Sequence, residues 1–164
     1  MAQRQLATEA TTVSDREDRE TLIDRLNEDL SGELQAIAMY TQYSALLRGP
    51  YRKELRELFQ AEIPDELRHA QFLSDKIAVL GGTPTTTARP VPSASDPRTM
   101  LQNILRAEEQ AVADYTERAT QADECNEIGL RVELENLIVD ETGHKEEVEQ
   151  ILAGWKNGLS NDEE

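Results

Sequence analysis

Both histidines of this 164-residue chain close the same four-residue motif. His69 ends Glu66-Leu67-Arg68-His69, and His144 ends Glu141-Thr142-Gly143-His144. The copies lie 75 residues apart, and the same offset carries Glu33 onto Glu108 and Tyr40 onto Tyr115. Ile63-Pro64-Asp65-Glu66 likewise aligns with Ile138-Val139-Asp140-Glu141. Residues three apart on a helix share a face, so each Glu-x-x-His pair can converge on one cation. Glu33 and Glu108 fall on apolar stripes, where a lone ionised carboxylate is costly to bury. Two divalent metals would balance the four glutamates and leave two neutral imidazoles as further ligands. Carboxylate oxygens with one imidazole per metal suit Fe²⁺ or Mn²⁺ better than a thiolate-rich zinc site. Such a metal pair can hold O₂ or peroxide between its members and deliver one electron from each. Tyr40 and Tyr115 each follow a glutamate by seven residues, two helical turns. They are the candidate catalytic side chains, able to hydrogen-bond a ligand carboxylate or to donate an electron. The alternative for each is a core aromatic with a satisfied hydroxyl. Glu62, Asp65, Glu109, Asp140, Glu146 and Glu147 read as charges on solvated faces, any of which could form an ion entry path.

The elements that must position these groups are helices. Ala, Leu, Glu, Gln and Arg dominate the chain, and all are strong helix formers. Ser14 with Glu17 makes a capping box, so a first helix is expected from there to about Arg48. Gly49-Pro50 stops it, and a second helix should run to Leu80. Residues 81–96 hold two glycines, three prolines and many small polar residues, a connection long enough to cross the length of a bundle. Asp96-Pro97 then supplies a cap and a first-turn proline. A third helix is expected to about Ala122, and a fourth from Asn126 to Ala153. Gly154 should end it, with Trp155 packing over the bundle end. The expected architecture is all-α: an antiparallel four-helix bundle over 14–155, with a long crossover between helices two and three. Residues 1–13 are expected to be a mobile tail and 156–164 an acidic one. Pro64 should kink or bulge the second helix. Gly143 should allow close helix contact.

The chain carries 17 basic and 33 acidic residues, a net charge of −16. That disfavours nucleic acid, whose affinity depends on neutralising phosphates, and anionic membrane surfaces. The one cysteine, Cys125, cannot form an intrachain disulfide. No apolar run approaches the length of a membrane span, and the N-terminus lacks a signal-like apolar region. The sequence reads as a soluble, cytoplasmic protein.

The pattern resembles the ferritin-like superfamily over residues 18–153, most closely the bacterioferritins and related Dps-like ferritins. The resemblance rests on Glu33-x6-Tyr40, Glu66-x2-His69 with Ala70 following, Met100-Leu101 leading to Glu108, and Asp140-Glu141-x-Gly143-His144. It implies a di-iron site in which Glu66 and Glu141 bridge two irons. Glu33 and His69 would complete one iron, and Glu108 and His144 the other. The implied activity is oxidation of Fe²⁺ by O₂ or H₂O₂, for iron storage or detoxification, in a homo-oligomer. Bacterioferritins place a haem-ligating Met directly after the first bridging Glu; here Leu67 stands there, so no haem is expected. Little chain remains after Trp155 for the fifth helix of 24-subunit cages, which leaves a dimer or a smaller shell open. Two other readings remain. A rubrerythrin-like peroxidase would normally carry a further Glu at the place of Ala111, and a non-enzymatic bundle would only buffer metal.

Overall fold

The computed structural model describes residues 2–155, with side chains from Asp18 onward. It contains helices α1 (Ala2–Leu46), α2 (Arg52–Val79), α3 (Pro97–Glu124) and α4 (Ile128–Trp155), and no strand among those residues. Helix α1 packs on α2, α3 on α4, and α1 on α3. Short turns join each hairpin and residues 80–96 cross between the hairpins, giving the expected all-α, antiparallel four-helix bundle.

Most helix ends follow local rules. Asp96 accepts a 2.9 Å bond from Thr99 N at the start of α3, with Pro97 in its first turn. Gly49 and Gly81 adopt φ of 90° and 91°, a region that side chains rarely tolerate. A Cβ on Gly82 would collide with Ile23 and Ile77, so the crossover can leave α2 only over a glycine. Helix α2 is continuous through Pro64. Three expectations need correction. Helix α1 begins at Ala2, so Ser14 lies inside it rather than capping it. The alanines, glutamines, arginine and glutamate of residues 2–13 propagate a helix readily. Gly154 lies within α4 rather than ending it. A Cβ on Gly143 would meet nothing within 4 Å, so that glycine mediates no close helix contact. Trp155 does pack at the bundle end, its ring 5.1 Å from that of Tyr51. The acidic tail expected over 156–164 lies outside the described residues.

The apolar core is in two pieces. One holds Leu22, Leu26, Leu30, Leu73, Ile77 and Leu134, the other Met39, Tyr43, Phe59, Met100, Leu101 and Ile104. The level between them is polar, and Glu33, Glu66, His69, Glu108 and Glu141 are all buried there.

The crossover is strapped along α1 by side chains four residues apart. Asn27 Nδ2 donates to Thr83 O (3.2 Å) and Asn27 Oδ1 accepts from Thr85 N (2.7 Å). Ser31 Oγ donates to Thr87 O (2.6 Å), and Gln35 donates to Pro90 O. Tyr43 OH continues the row to Pro92 O at 2.5 Å. Arg89 closes the strap, donating to Glu28 O and to Asp114 on α3, both at 2.9 Å.

A buried ion pair ties α1 to α3 nearby. Arg118 donates twice to Asp29, at 2.8 and 3.2 Å, with both side chains nearly inaccessible. Burial pushes the Asp29 carboxyl up to about 6 against the pull of Arg118, so the pair restricts how α1 and α3 dock more than it stabilises them. Arg118→Met should cost about 3–5 kcal/mol by leaving Asp29 buried without its partner. Adding Asp29→Leu should restore most of that loss, as read by urea unfolding of the single and double variants.

Candidate metal centre

Each helix delivers its polar side chains to one level. Glu33 comes from α1, Glu66 and His69 from α2, Glu108 from α3, and Glu141 and His144 from α4. All six meet in two groups of four that share Glu66 and Glu141. One group adds Glu33 and His69, the other Glu108 and His144, and in each the ligand-type atoms lie within 4.8 Å of one another. The imidazoles are nearly parallel, with centroids 6.3 Å apart and planes at 23°.

Both histidines turn Nδ1 to the interior. His69 Nδ1 lies 2.7 Å from Glu141 Oε1 and 3.6 Å from Glu33 Oε2. His144 Nδ1 lies 3.1 Å from Glu141 Oε2 and 3.7 Å from Glu66 Oε1. Their Nε2 atoms face outer carboxylates: Asp140 Oδ2 at 3.5 Å from His69, and Glu62 Oε2 at 3.0 Å from His144. The closer carboxylate, Glu62, holds the His144 proton on Nε2 and frees its Nδ1 lone pair for a cation.

The donors fit a pair of hard divalent metals. Glu33 Oε2 and Glu66 Oε1 are buried without a hydrogen-bond partner, and His69 Nδ1 and Glu141 Oε1, 2.7 Å apart, have no well-aligned one. Native interiors rarely leave so many polar atoms unsatisfied in one place; oxygen-binding cations would satisfy them.

Protons stand in for that charge when no metal is bound. Burial and neighbouring glutamates raise Glu66 well above the usual carboxyl range, and burial followed by Glu141 does the same to Glu108. Burial also works against the Glu141 carboxylate, but His144 and His69 outweigh it and hold its pKa at about 2. For His69, burial opposes the charged form, yet contact with Glu141 and Glu33 lifts its pKa to about 10. Glu141 and Glu62 likewise overcome burial to lift His144 to about 11.

The tyrosines cross between the halves. Tyr40 OH, on α1, donates to Glu108 Oε1 on α3 at 2.6 Å, and Tyr115 OH, on α3, donates to Glu33 Oε1 on α1. Burial, reinforced by these glutamates, raises both phenols well above their ordinary pKa. They therefore remain protonated donors and fix one oxygen of each terminal glutamate.

Sequence reasoning placed three outer carboxylates on solvated faces and missed their contacts with the histidines. Glu62 lies one turn before Glu66 and contacts His144. Asp65 groups with Glu62 and His144, while Asp140 faces His69. Arg68 joins the two aspartates across α2 and α4, at 2.6 and 3.1 Å. The signal was present: Asp65 and Asp140 are themselves 75 apart, so the repeated unit is Asp-Glu-x-x-His. Leu67, by contrast, is exposed on α2.

A four-helix bundle with a long central crossover and a buried Glu/Glu-x-x-His centre defines the ferritin-like class. The family model for the ferritin-like domain matches residues 23–157, and the chain belongs to that family. A bacterial ferritin of Paramagnetospirillum magnetotacticum is 36% identical over 60% of this chain, and the match spans 61% of that relative's length. A bacterioferritin of Brucella melitensis is 28% identical over 80% of this chain and 82% of its own. A ferritin-like, diiron-carboxylate protein from Bacillus anthracis superposes with a TM-score of 0.81 at 44% identity. That alignment covers 82% of this chain and 97% of the other. A bacterioferritin from Rhodobacter capsulatus, with a metal-free dinuclear site and a haem iron, gives 0.75 at 28% identity, over 84% and 87% of the two chains.

Both imidazoles carry a proton at neutral pH in the metal-free state, so metal must displace it. Adding Co²⁺ to the metal-free protein in weak buffer at pH 7 should release at least the two imidazolium protons per pair of sites. Two-metal occupancy should weaken by roughly 100-fold or more for each pH unit lowered, one factor of ten per displaced proton, with any protons on Glu66 and Glu108 adding to the two from the imidazoles. Isothermal titration in buffers of different ionisation enthalpy reads both quantities.

Proposed function

We propose that the protein is a di-iron ferroxidase. The observation that supports this most is the layer of four glutamates and two histidines that converge from all four helices, with buried unsatisfied atoms on Glu33, Glu66, His69 and Glu141. Glu66 and Glu141, common to both groups, would bridge the metals; Glu33 with His69 and Glu108 with His144 would complete them. The bound iron supplies one electron per ion, so two Fe²⁺ reduce O₂ to H₂O₂ with two protons, or H₂O₂ to two waters with two protons.

The chain's own side chains set the conditions for that exchange. Tyr40 and Tyr115 orient the terminal glutamates and are positioned to donate a proton or electron. Glu62 keeps the His144 proton on Nε2, and Asp140 faces the same nitrogen of His69. The apolar layers above and below close the centre along the bundle axis. The reading includes no haem, since Leu67 offers no ligating sulfur. It places the protein in the cytoplasm as a homo-oligomer, a dimer or a shell, for iron storage or detoxification. No described helix is long and apolar enough to cross a membrane. The diiron-carboxylate description of the Bacillus anthracis structure and the ferritin names of the curated relatives favour the same reading. The peroxidase alternative loses support from Ala111, which lines a cavity beside the centre where a further ligand would be needed.

Loss of a contact that only orients a metal ligand costs roughly 10–100-fold, so loss of a ligand should cost at least the upper figure. Glu108→Ala should therefore slow the fast phase of Fe²⁺ oxidation in air by roughly 100-fold or more, followed by ferric absorbance in stopped flow. A purely structural bundle would instead gain stability from that change and show no fast oxidation to lose. Iron retained after excess Fe²⁺ and desalting separates the modes: about two per chain for a redox centre, far more for a storage shell.

A further inference from the structure

A cavity of about 470 Å³ opens between α1 and α3 and reaches Glu33, Glu66, Glu108 and Glu141. Its walls are kept thin by Gly32 and Ala36 on α1 and by Ala107 and Ala111 on α3. These four obey the same 75-residue offset, 32 onto 107 and 36 onto 111. The opening therefore lies on the pseudo-two-fold relating the hairpins and serves both halves of the centre. The histidines and their outer carboxylates come from α2 and α4.

The two approaches differ in charge. Beyond the four glutamates, the charged residues lining the cavity are Asp29, Asp114, Arg89 and Arg106. Asp29 is neutralised by Arg118 and Asp114 by Arg89, while Arg106 hydrogen-bonds neutral Asn103 at 2.5 Å. Once two divalent metals offset the glutamates, the cavity holds no uncompensated acid and one extra guanidinium. Arg89 also sits close over the helix, since a Cβ on Gly32 would be 3.3 Å from its Nη1. In a chain of net charge −16, this is a poor path for cations. The α2/α4 face presents Glu62, Asp65 and Asp140 beside the histidines, with Arg68 the cation joining the two aspartates. Its charge raises the local concentration of divalent metal.

We propose that the α1–α3 cavity is the entrance for the uncharged oxidant, O₂ or H₂O₂, and that metal arrives by the separate acidic face of α2 and α4. The proposal rests on the ferroxidase reading and adds a division of routes to it. It explains why the small residues recur in both hairpins where a bundle core would ordinarily be filled. It also gives the crossover a role, since Arg89 holds α1 and α3 at a fixed separation across the opening.

Ala36→Leu and Ala111→Leu obstruct the cavity from opposite walls with a good helix former. Two rates are measured on the full chain by stopped flow. One is loading of Co²⁺ alone, read by its visible absorption; the other is oxidation of anaerobically preloaded Fe²⁺ on mixing with O₂ or H₂O₂. Both variants should load Co²⁺ to the wild-type extent, which also shows that they are folded, and at rates within about twofold. Oxidation should slow by roughly tenfold or more, as expected for a restricted gate. Co²⁺ loading slowed as much as oxidation would mean one shared entrance and overturn the proposal, as would unchanged oxidation in both variants. A wild-type protein that loads Co²⁺ but oxidises no Fe²⁺ would sink the ferroxidase reading and the oxidant entrance together.

Discussion

Four carboxylates buried at one level of a helical bundle are the constraint from which the rest of the structure follows. Like charges this close cannot all ionise in a low-dielectric interior. The metal-free chain answers by keeping protons on Glu66 and Glu108 and on both histidines, with Glu141 as the anion between the imidazoles. Divalent metal would answer the same demand with fewer compromises, because it would satisfy the orphaned oxygens as well as the charge. The split core is a consequence. Apolar packing above and below must hold the helices together, since the central layer contributes polar strain instead of hydrophobic gain.

Around that layer, each side chain is fixed by a partner from a different helix. The tyrosines cross between α1 and α3, the outer carboxylates cross between α2 and α4, and Arg118 with Asp29 restricts the docking of α1 on α3. The two halves are not identical. The 75-residue offset that maps Asp65 onto Asp140 maps Glu62 onto Leu137. His144 thus has a carboxylate 3.0 Å from its outer nitrogen, closer than the 3.5 Å contact of His69. It is also the more exposed of the two imidazoles. Two metals held here would differ in environment although their inner ligand sets match.

Much of this was legible in the sequence because helices convert spacing into direction. The fixed offset between copies of Glu, Tyr and Glu-x-x-His exposed a duplicated hairpin, and Gly49-Pro50 and Asp96-Pro97 marked where helices stop and start. What the pattern left out was whatever depends on how hairpins meet. A seven-residue interval put Tyr40 on the face of Glu33, but only docking reveals that its hydroxyl reaches Glu108. Asp140 looked like a solvated charge because its partner, His69, is on another helix. Ser14 looked like a cap because capping chemistry is local, whereas helix continuation depends on the residues before it. Gly143 was misjudged for the opposite reason: its missing side chain faces open space.

The crossing of the tyrosines has one more consequence. Each hairpin carries a phenol whose acceptor belongs to the other hairpin, so neither is chemically complete by itself. A slip of one helical turn between α1 and α3 would separate both hydroxyls from their glutamates at once and leave four buried polar groups unanswered. The pair thus works as a checksum on assembly. Only the register that closes both phenolic bonds brings the carboxylates level, and only level carboxylates can share their charge. Accuracy of docking and capacity to hold charge are therefore the same property of this chain, read out at the same atoms.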